Sequence, residues 1–415
     1  MNRTHENNLP KLPIPYKLTE IFIDNFKTFD DSHIYFSKDM TVFVGDNASG
    51  KSSILQALTF LKYCCTSTVD DFMKDRRMNA DDLASKLFPK FQKNITFSLE
   101  FESEQKPLDS LSWMITFVVN KTDNKITLRS EKITWPSIYN VKSQMILYYD
   151  SKEGFRQNER DNKGESIPVG EYSSSLIRFI DEKQREQFPH LYAIKHFFLE
   201  TEPLDLLTPK DMRRSARGQE RSLGFSGEKL PNLIYKLNGN ERETLLNTLT
   251  RVLPKMKSVR SVRSGSGRAG WAHLETIEQF NEHPITVQSG GISDGVLRLV
   301  ALFALPFLNK SGGVILLDEV EDGINSSNIA ILMEFLREYS KNNGQQIILT
   351  THSTVLLDYA KPEEIRCLYR DINGFTQCVN FLDLKDIKEE LAYLYPGEAM
   401  LNRGKDFMKG FTEER

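Results

Sequence analysis

The feature that most constrains this chain is a glycine-rich segment near its start with the spacing G-x-x-x-x-G-K-S. The segment consists of Gly45, Asp46, Asn47, Ala48, Ser49, Gly50, Lys51, Ser52 and Ser53. An apolar run at residues 41–44 precedes it, and a helical pattern at residues 54–58 follows it. A strand, a tight loop and a helix in this order present backbone N–H groups and a positive helix end to phosphate. The segment therefore predicts a P-loop that binds a nucleoside triphosphate, with Lys51 on the β- and γ-phosphates and Ser52 on Mg²⁺.

An apolar run at residues 313–317 ends in two acids, Asp318 and Glu319. A continuous apolar run is typical of a buried parallel strand, and ligands of open α/β sheets bind where such strands end. We expect Asp318 to complete the Mg²⁺ shell, directly or through a water, and Glu319 to polarise the attacking water. A strand that simply ends in a solvated acidic loop is the alternative.

Two further segments in the same part of the chain carry polar groups after or before apolar runs. The apolar residues 346–349 lead into Thr-Thr-His-Ser, in which His352 could contact the γ-phosphate. A plain surface histidine is the alternative.

Residues 289–295 read Ser-Gly-Gly-Ile-Ser-Asp-Gly and precede an apolar helical pattern. Ser293 or Asp294 is a good N-cap for that helix, and a glycine-flanked helix N-terminus is also a phosphate site.

The order of these motifs resembles that of ABC-type ATPase heads of the RecF and SMC branch, which are AAA family ATPases. The motifs look most like those of compact ATPases related to the OLD proteins and of ATPase subunits of bacterial anti-phage systems such as Septu. Residues 23–29, Ile-Asp-Asn-Phe-Lys-Thr-Phe, look like the N-terminal strand of that branch, which implies that Lys27 contributes to the nucleotide site. Ser293, Asp294 and Gly295 look like its signature element, which faces the nucleotide of the opposite subunit.

The resemblance covers residues 18–61 and 288–371, and the chain departs from the family pattern in two places. The family often reads D-E-P-E-N-G-L-H-P after the acidic strand. Residues 318–325 of this chain keep the acids but lack the proline and the H-P pair. The glutamine that the family places between the P-loop and the signature element is either Gln92 or Gln144 here.

The resemblance implies an ATPase that binds ATP and Mg²⁺ and dimerises around them, as a homodimer or a higher even-numbered oligomer. Lys51, Glu319 and His352 would be its catalytic residues, and Ser52 and Asp318 would hold the metal. The implied role is that of a regulatory or sensor subunit of a bacterial anti-phage defence complex, which controls a separate nuclease or toxin. A RecF- or SMC-like DNA-binding ATPase in DNA repair or recombination is the alternative. The S-D-G element and the N-F-K-T-F start disfavour a transporter's nucleotide-binding subunit.

The motifs are split between the two ends of the chain, so the residues between them form an excursion from one α/β sheet. The predicted fold is a P-loop NTPase with an ABC-type head: a mixed central sheet, an antiparallel β-layer, an inserted helical lobe and no long coiled coil. The predicted parts are a flexible tail at 1–16, an ATPase core at 17–62 plus 271–380, a β-rich layer and variable insertion at 63–200, a helical lobe with a basic loop at 201–270, and a C-terminal helical tail at 381–415.

Alternating apolar residues predict antiparallel strands at residues 95–101, 113–119 and 126–135. The chain that follows has weaker patterns. It predicts irregular structure over 136–170, a short amphipathic helix over 172–188, a strand over 191–199 and a helical section from there through 253.

Two basic segments precede the signature element. The first carries Arg251, Lys255, Lys257, Arg260, Arg263 and Arg268 without an acid, and its glycines and serines predict a mobile loop over 251–270. The second carries Lys210, Arg213, Arg214, Arg217 and Arg221. Such runs are typical of a solvated face. The alternative is that residues 251–268 contact the phosphate backbone of DNA or RNA.

Composition limits the binding partners and the cellular compartment that we expect for this chain. The net charge of −3 gives no overall attraction to nucleic acid or to a membrane. The longest apolar run, residues 299–308, is too short to span a bilayer, and residues 1–16 lack a secretory signal, so we expect the cytoplasm. Four cysteines without a C-x-x-C spacing favour a reducing compartment and no zinc site. Because the chain stops at Arg415, we expect no C-terminal nuclease domain like that of OLD nucleases, and any nuclease activity would come from a partner.

Overall fold

A computed structural model describes residues 13–104, 110–136, 144–161, 163–205, 207–218, 221–264 and 270–403. Across these residues the strands are β1 (Tyr16–Asp24), β2 (Ser32–Tyr35), β3 (Met40–Gly45), β4 (Asn94–Ser103), β5 (Ser110–Asn120), β6 (Lys125–Trp135), β7 (Gln144–Tyr149), β8 (Gly154–Gln157), β9 (Gly164–Ser166), β10 (Glu202–Leu204), β11 (Met256–Ser264), β12 (Trp271–Phe280), β13 (His283–Gln288), β14 (Val314–Leu317), β15 (Gln346–Thr351), β16 (Ile365–Arg370) and β17 (Thr376–Asn380). The α-helices in the same ranges are α1 (Lys51–Thr66), α2 (Val69–Arg76), α3 (Pro189–Glu200), α4 (Pro209–Met212), α5 (Leu230–Lys236), α6 (Gly239–Val252), α7 (Asp294–Phe303), α8 (Ile329–Asn343), α9 (Thr354–Leu357), α10 (Ile387–Glu390) and α11 (Pro396–Arg403).

The strands that carry the motifs share one sheet, whose order in the described residues is β10-β14-β15-β3-β16-β17. β14, β15 and β3 are parallel and nearly continuous in buried apolar residues, as expected for strands covered on both faces. β15 pairs with both β14 and β3, so it joins strands that are far apart in the sequence. The C-terminal ends of the three strands therefore meet at one edge, which Gly45, Asp318 and His352 occupy.

An antiparallel sheet lies beside the helix that follows the P-loop. Its order in the described residues is β2-β1-β4-β5-β6-β7-β8-β9, and the strands predicted at 95–101, 113–119 and 126–135 are confirmed as β4, β5 and β6. Side chains on one face of these strands pack on α1: the Phe60 ring lies 5.6 Å from that of Phe97 and 5.3 Å from that of Phe117. Because α1 also contacts β3 and β15, it is held between the two sheets.

Three predictions for the chain after β6 are wrong. Residues 136–170 are not irregular throughout, since β7, β8 and β9 extend the antiparallel sheet there, and Ile146, Leu147 and Tyr149 of β7 are buried. Residues 172–188 contain two short 3₁₀ turns, Leu176–Phe179 and Glu182–Gln184, instead of an amphipathic helix. Residues 191–199 belong to α3, which packs on α1, β1 and β14. A helix buried on most of its faces is apolar all round, so its sequence imitates a buried strand.

The predicted basic loop is also wrong over residues 256–264, which form β11, the first strand of a third sheet with the order β11-β12-β13 in the described chain. Arg260 lies directly opposite Glu275 in this sheet, and their side chains form an ion pair of 3.1 Å. Such cross-strand pairs stabilise a strand that is polar on one face. Arg268 lies outside the described residues. The predicted division of the chain into five parts stays a prediction.

The helices of the described residues are short. The longest helix among the described residues is α1, with 16 residues, so this part of the chain contains no long coiled coil. No helix in the described ranges is long and apolar enough to cross a membrane. All four cysteines lie within these ranges and are free.

Candidate functional site

The P-loop adopts a conformation that depends on glycine at two positions. Gly50, just before α1, has a φ of 109°, in the left-handed region that glycine enters without strain. A Cβ on Gly45 would overlap the carbonyl oxygen of Leu368 on β16. The Lys51 Nζ donates to the carbonyl oxygens of Gly45, at 2.7 Å, and Asp46, at 3.0 Å. Its ammonium group therefore lies within the loop, at the position where a triphosphate would bind.

Burial and the neighbouring charges have opposite effects on the pKa of Lys51. Burial lowers the pKa of the Lys51 ammonium, while the carboxylates of Glu319 and Asp318 act in the opposite direction. A buried ammonium beside acids gains more from a further negative partner than an exposed one, because water screens it less. Lys51 is thus a cation among acids, since Asp46 and Glu321 act on its pKa in the same direction as Glu319 and Asp318.

Thr350, on β15, orients the two acids that follow β14. Its Oγ1 donates to Asp318 Oδ1 and accepts the backbone N–H of Glu319 at 2.9 Å. Glu319 has a φ of 45°, which is uncommon for a residue with a Cβ. The chain thus turns sharply at the end of β14, and the carboxylates of Asp318 and Glu319 point in different directions.

His352 follows β15 and lies between two carboxylates. Its Nδ1 is 3.7 Å from Glu319 Oε1 and 3.7 Å from Glu321 Oε1. Glu321 is buried, and its Oε1 accepts the Thr351 hydroxyl at 2.6 Å and the His352 backbone N–H at 3.0 Å. Glu321 therefore fixes the backbone at the end of β15, whereas Glu319 and His352 keep exposed side chains.

A cavity of about 560 Å³ opens between these elements. Its lining residues are Val44, Gly45, Asp46, Asn47, Glu319, His352, Thr354, Leu357, Met400 and Leu401. The structure thus brings the first half of the P-loop, Glu319 and His352 to one cavity. Lys51 is buried beside it, and Ser52 and Ser53 are half-buried in the first turn of α1.

Ser52 and Asp318 supply hard oxygen donors that suit Mg²⁺. Within the described residues, no group of three or more His, Cys, Asp or Glu side chains could hold a metal by itself. Mg²⁺ is commonly bound by one or two protein groups together with substrate phosphates and water. The donor set therefore fits a metal that arrives with a nucleotide.

The signature element does not line the cavity of its own chain. Ser293 caps α7 by accepting the Val296 N–H at 3.4 Å, and Asp294 is bound by Arg213. A Cβ on Gly295 would overlap the carbonyl oxygen of Gly323, so α7 begins directly against the loop that follows Glu321. Ser293 and Asp294 are exposed, and none of the three signature residues lines the cavity.

Lys27 is half-buried and lies near Arg76 and Asp82. Burial, and then the charge of Arg76, lower the pKa of its ammonium. Its backbone N–H donates to Leu83 O at 2.8 Å, and Lys27 does not line the cavity. A role for Lys27 with the nucleotide stays a prediction.

Asp205 is a buried acid beside Asp318 that the sequence pattern did not indicate. β10 pairs in parallel with β14, with Leu204 opposite Leu317, so Asp205 and Asp318 leave the sheet side by side. Asp205 is buried and forms an ion pair of 2.6 Å with Arg76. Gln92 and Gln144, the candidates for the family's glutamine, do not line the cavity. A strand of three residues that contains Pro203 gives almost no pattern by which Asp205 could have been found.

Comparison with known proteins connects this arrangement with a family. Residues 40–358 match the family described as "AAA domain, putative AbiEii toxin, Type IV TA system". The uncharacterised protein MJECL44 of Methanocaldococcus jannaschii is 29% identical over 195 residues, 46% of this chain, and the chain spans about half the length of that relative, 50%. A Helicobacter pylori protein described as an ATP/GTP phosphatase is 20% identical over 380 residues, which cover 85% of this chain and 93% of that protein.

One solved structure, an Smc head bound to the C-winged helix domain of ScpA, has a TM-score of 0.53 and 16% identity. The similarity covers 87% of this chain and 97% of that chain. At this identity the likeness concerns the fold alone. The predicted α/β P-loop fold, with several sheets and an ATPase head architecture, is confirmed.

Proposed function

The chain belongs to this AAA-domain family of ATPases, and on that premise we propose that it hydrolyses ATP with Mg²⁺ in a dimer that encloses each nucleotide between two chains. The observation that carries the proposal is that the signature element does not line the cavity of its own chain. The P-loop, Glu319 and His352 face one cavity, whereas Ser293 and Asp294 are exposed elsewhere on the same chain. A helix N-terminus whose first residues are exposed is suited to the phosphates of a nucleotide on a second chain.

The proposed chemistry follows from the positions of the side chains. Lys51 neutralises the β- and γ-phosphates, and Ser52 and Asp318 hold Mg²⁺, which supplies charge stabilisation in phosphoryl transfer. Glu319 orients and polarises the attacking water, and His352, which lies beside it after β15, contacts the γ-phosphate. The H. pylori relative described as an ATP/GTP phosphatase supports hydrolysis of a triphosphate.

The proposed biological role is that of a regulatory or sensor subunit in a bacterial anti-phage defence complex. It would control a separate nuclease or toxin through ATP-dependent association, in the cytoplasm. The description of the family, which names a toxin of a type IV toxin–antitoxin system, supports a link to toxin control. The Smc head that resembles this chain in fold binds a partner protein, which supports a second protein as the target.

A DNA-binding ATPase of repair or recombination is the second proposal, and the basic segment argues against it. Arg260 pairs with Glu275 at 3.1 Å, and the Arg263 guanidinium lies 3.9 Å from the centre of the Tyr235 ring. Arg251 is bound to Glu334. The acidic partners of Arg251 and Arg260 reduce the charge that these two residues could offer to a phosphate backbone.

Complementation between two inactive variants tests the proposed function. Lys51→Ala removes the phosphate contact, and Ser293→Asp keeps the N-cap while placing a negative charge against the partner's triphosphate. Each variant alone should lose Mg²⁺-dependent phosphate release from ATP. In a mixture, each mixed dimer contains one site with both changes and one site with neither, so about a quarter of the parent activity should return.

Purified parent, single variants and mixtures are compared by phosphate release and by mass in solution with ATP and Mg²⁺. Glu338→Gln, a change of an exposed acid on α8, is the control for charge alone. Activity that does not return although mixed dimers form would contradict shared sites. A parent without any triphosphate hydrolysis would contradict the enzyme itself.

A further inference from the structure

The outward carbonyl groups of the P-loop are bound by the hairpin of β16 and β17. We propose that Thr376 and Arg370 are positioning residues that hold the P-loop in its phosphate-binding conformation and so determine its affinity for the nucleotide. The proposal rests on the proposed nucleotide site and adds two residues that the motifs do not contain.

Thr376 is fully buried and contacts the loop at the point where α1 begins. Its Oγ1 donates to the carbonyl oxygen of Ser49 at 2.9 Å. A Cβ on Gly50 would lie 2.5 Å from the same Oγ1, so the glycine backbone lies directly on the threonine. A larger residue at position 50 or a changed one at position 376 would therefore move the loop.

The second contact comes from Arg370 at the end of β16. Its Nε donates to the carbonyl oxygen of Ala48 at 2.7 Å, and its Nη1 donates to Gly374 O. The turn between the strands is itself fixed, because Asp371 Oδ1 accepts the N–H groups of Asn373 and Phe375, each at 2.9 Å. Arg370 thus connects a rigid turn to the loop.

The geometry of the peptide bond gives these contacts a consequence for phosphate binding. In a trans peptide the C=O and the following N–H point in opposite directions. Holding Ser49 O on Thr376 directs the Gly50 N–H away from the hairpin. Holding Ala48 O on Arg370 directs the Ser49 N–H back to Asp46 O, which it reaches at 3.1 Å, and this closes the turn.

Thr28 links the same position to the segment that contains Lys27. Its carbonyl oxygen accepts the Thr376 N–H at 2.7 Å, and the two hydroxyl oxygens lie 2.7 Å apart. Since Thr376 Oγ1 donates its proton to Ser49 O, Thr28 is the donor between the hydroxyls. One buried threonine therefore joins the N-terminal segment, the P-loop and β17.

The test compares Thr376→Val, which keeps the shape and removes the hydroxyl, with Thr376→Ser, which keeps the hydroxyl. Loss of one hydrogen bond at the loop should weaken binding of ATP with Mg²⁺ about three- to tenfold in Kd and in KM, with kcat changed less than about threefold. Thr376→Ser should bind within about twofold of the parent. Arg370→Met, at a half-buried position, should weaken binding in the same way and keeps the test usable if the valine variant does not fold.

Titration calorimetry with a non-hydrolysable ATP analogue and Mg²⁺, at a protein concentration at which light scattering shows no change in mass, measures nucleotide affinity apart from turnover and association. The result is therefore separable from failure of the proposed function. Thermal unfolding without nucleotide is measured in parallel. A valine variant and an arginine variant that both bind ATP as tightly as the parent would overturn the proposal, even if both unfold at lower temperature. A parent chain that binds no triphosphate would instead overturn the proposed site.

Discussion

Glu319 combines two properties at the residue scale: a carboxylate in the cavity and a backbone with a φ of 45°. A residue with a Cβ held in that region costs about 1–3 kcal/mol, and such strain is concentrated at functional sites. The surrounding contacts maintain it, since the Glu319 N–H donates to Thr350 Oγ1 at 2.9 Å. We infer that the turn at Glu319 is maintained because it aims the carboxylate.

Substitutions at Glu319 separate these properties. Glu319→Gln should lower turnover by about 10²–10⁴, the range for loss of a general base, and should leave stability nearly unchanged. Glu319→Gly should also lose turnover. Its free energy of unfolding should be about 1 kcal/mol higher than that of Glu319→Ala, because only alanine keeps the backbone strain. Phosphate release and chemical denaturation measure the two effects.

Near-normal hydrolysis by Glu319→Gln would move the role of base to another acid, with Glu321 the next candidate. A glycine variant no more stable than the alanine variant would show that the positive φ carries no strain. The two outcomes are independent, since one concerns the carboxylate and the other concerns the backbone.

The P-loop, Asp318, Glu319 and His352 could be located from the sequence because each is defined by its neighbours along the chain. Thr350, Asp205 and Thr376 could not, because their contacts depend on which strand lies alongside. Thr350 is one of two adjacent threonines, and only the pairing of β14 with β15 shows which of them reaches Asp318. Local spacing locates a motif, whereas sheet order selects the side chains that support it.

At the scale of elements, Glu131 on β6 is a buried titratable residue that connects neighbouring elements by hydrogen bonds. It is fully buried, and it accepts the Trp113 Nε1–H of β5 at 2.8 Å and the Leu176 N–H at 2.7 Å. Burial raises the pKa of its carboxyl to about 7, and the hydrogen bonds from Ser175, Leu176 and Trp113 act in the opposite direction. The carboxyl thus joins two strands of the antiparallel sheet to the turn before α3.

The raised pKa predicts a pH dependence of stability. The unfolded chain loses this proton near its ordinary value of 4.5 and the folded chain near 7, so the folded state binds more protons between these values. Stability should therefore fall as the pH rises through that window, by about 1–3 kcal/mol. Glu131→Gln should lack this slope, whatever its stability at a single pH.

Denaturant unfolding at several pH values measures the slope, and Glu102→Gln, at an exposed position of β4, is the control. A parent and a Glu131→Gln variant with the same slope would show that Glu131 titrates normally in the folded protein.

Elements could be predicted where one face of a strand is buried and the other is not. β4, β5 and β6 alternate over ten or eleven residues each, so their period was visible. The prediction of a strand over residues 191–199 is wrong because α3 is buried on most of its faces. β10 has only three residues, one of them a proline, so its sequence shows no strand pattern. It nevertheless places Asp205 beside Asp318.

At the scale of the whole molecule, charge decides between the two proposed roles. The chain carries a net charge of −3, Arg251 and Arg260 form ion pairs with acids of the same chain, and the Arg263 guanidinium lies on the Tyr235 ring. We therefore expect the double reversal Arg260→Glu and Arg263→Glu to change binding of a short DNA duplex less than about twofold at about 50 mM salt. Fluorescence anisotropy measures it.

Reversal of two exposed lysines elsewhere, Lys341→Glu and Lys388→Glu, is the matched control. Loss of about tenfold or more in the arginine variant alone, with an affinity that falls steeply with salt, would favour the DNA-binding role instead.

Convergence of the motifs could be predicted at this scale, because strands of a parallel sheet end at a common edge. The third sheet could not be predicted. β11 has neither a continuous apolar run nor a clear alternation, and its pairing with β12 depends on partners such as Glu275 that lie beyond a glycine- and serine-rich connection.

The position of β3 between β15 and β16 has a consequence for protein synthesis. Both neighbours are translated about 300 residues after β3, so a growing chain has nothing to pair with this strand until its final quarter leaves the ribosome. Contacts so distant along the chain form late, because the entropy of closing the intervening loop must be overcome first. An incompletely synthesised chain therefore cannot form the sheet edge at which the nucleotide would bind, and so cannot act as an ATPase before its synthesis is nearly complete.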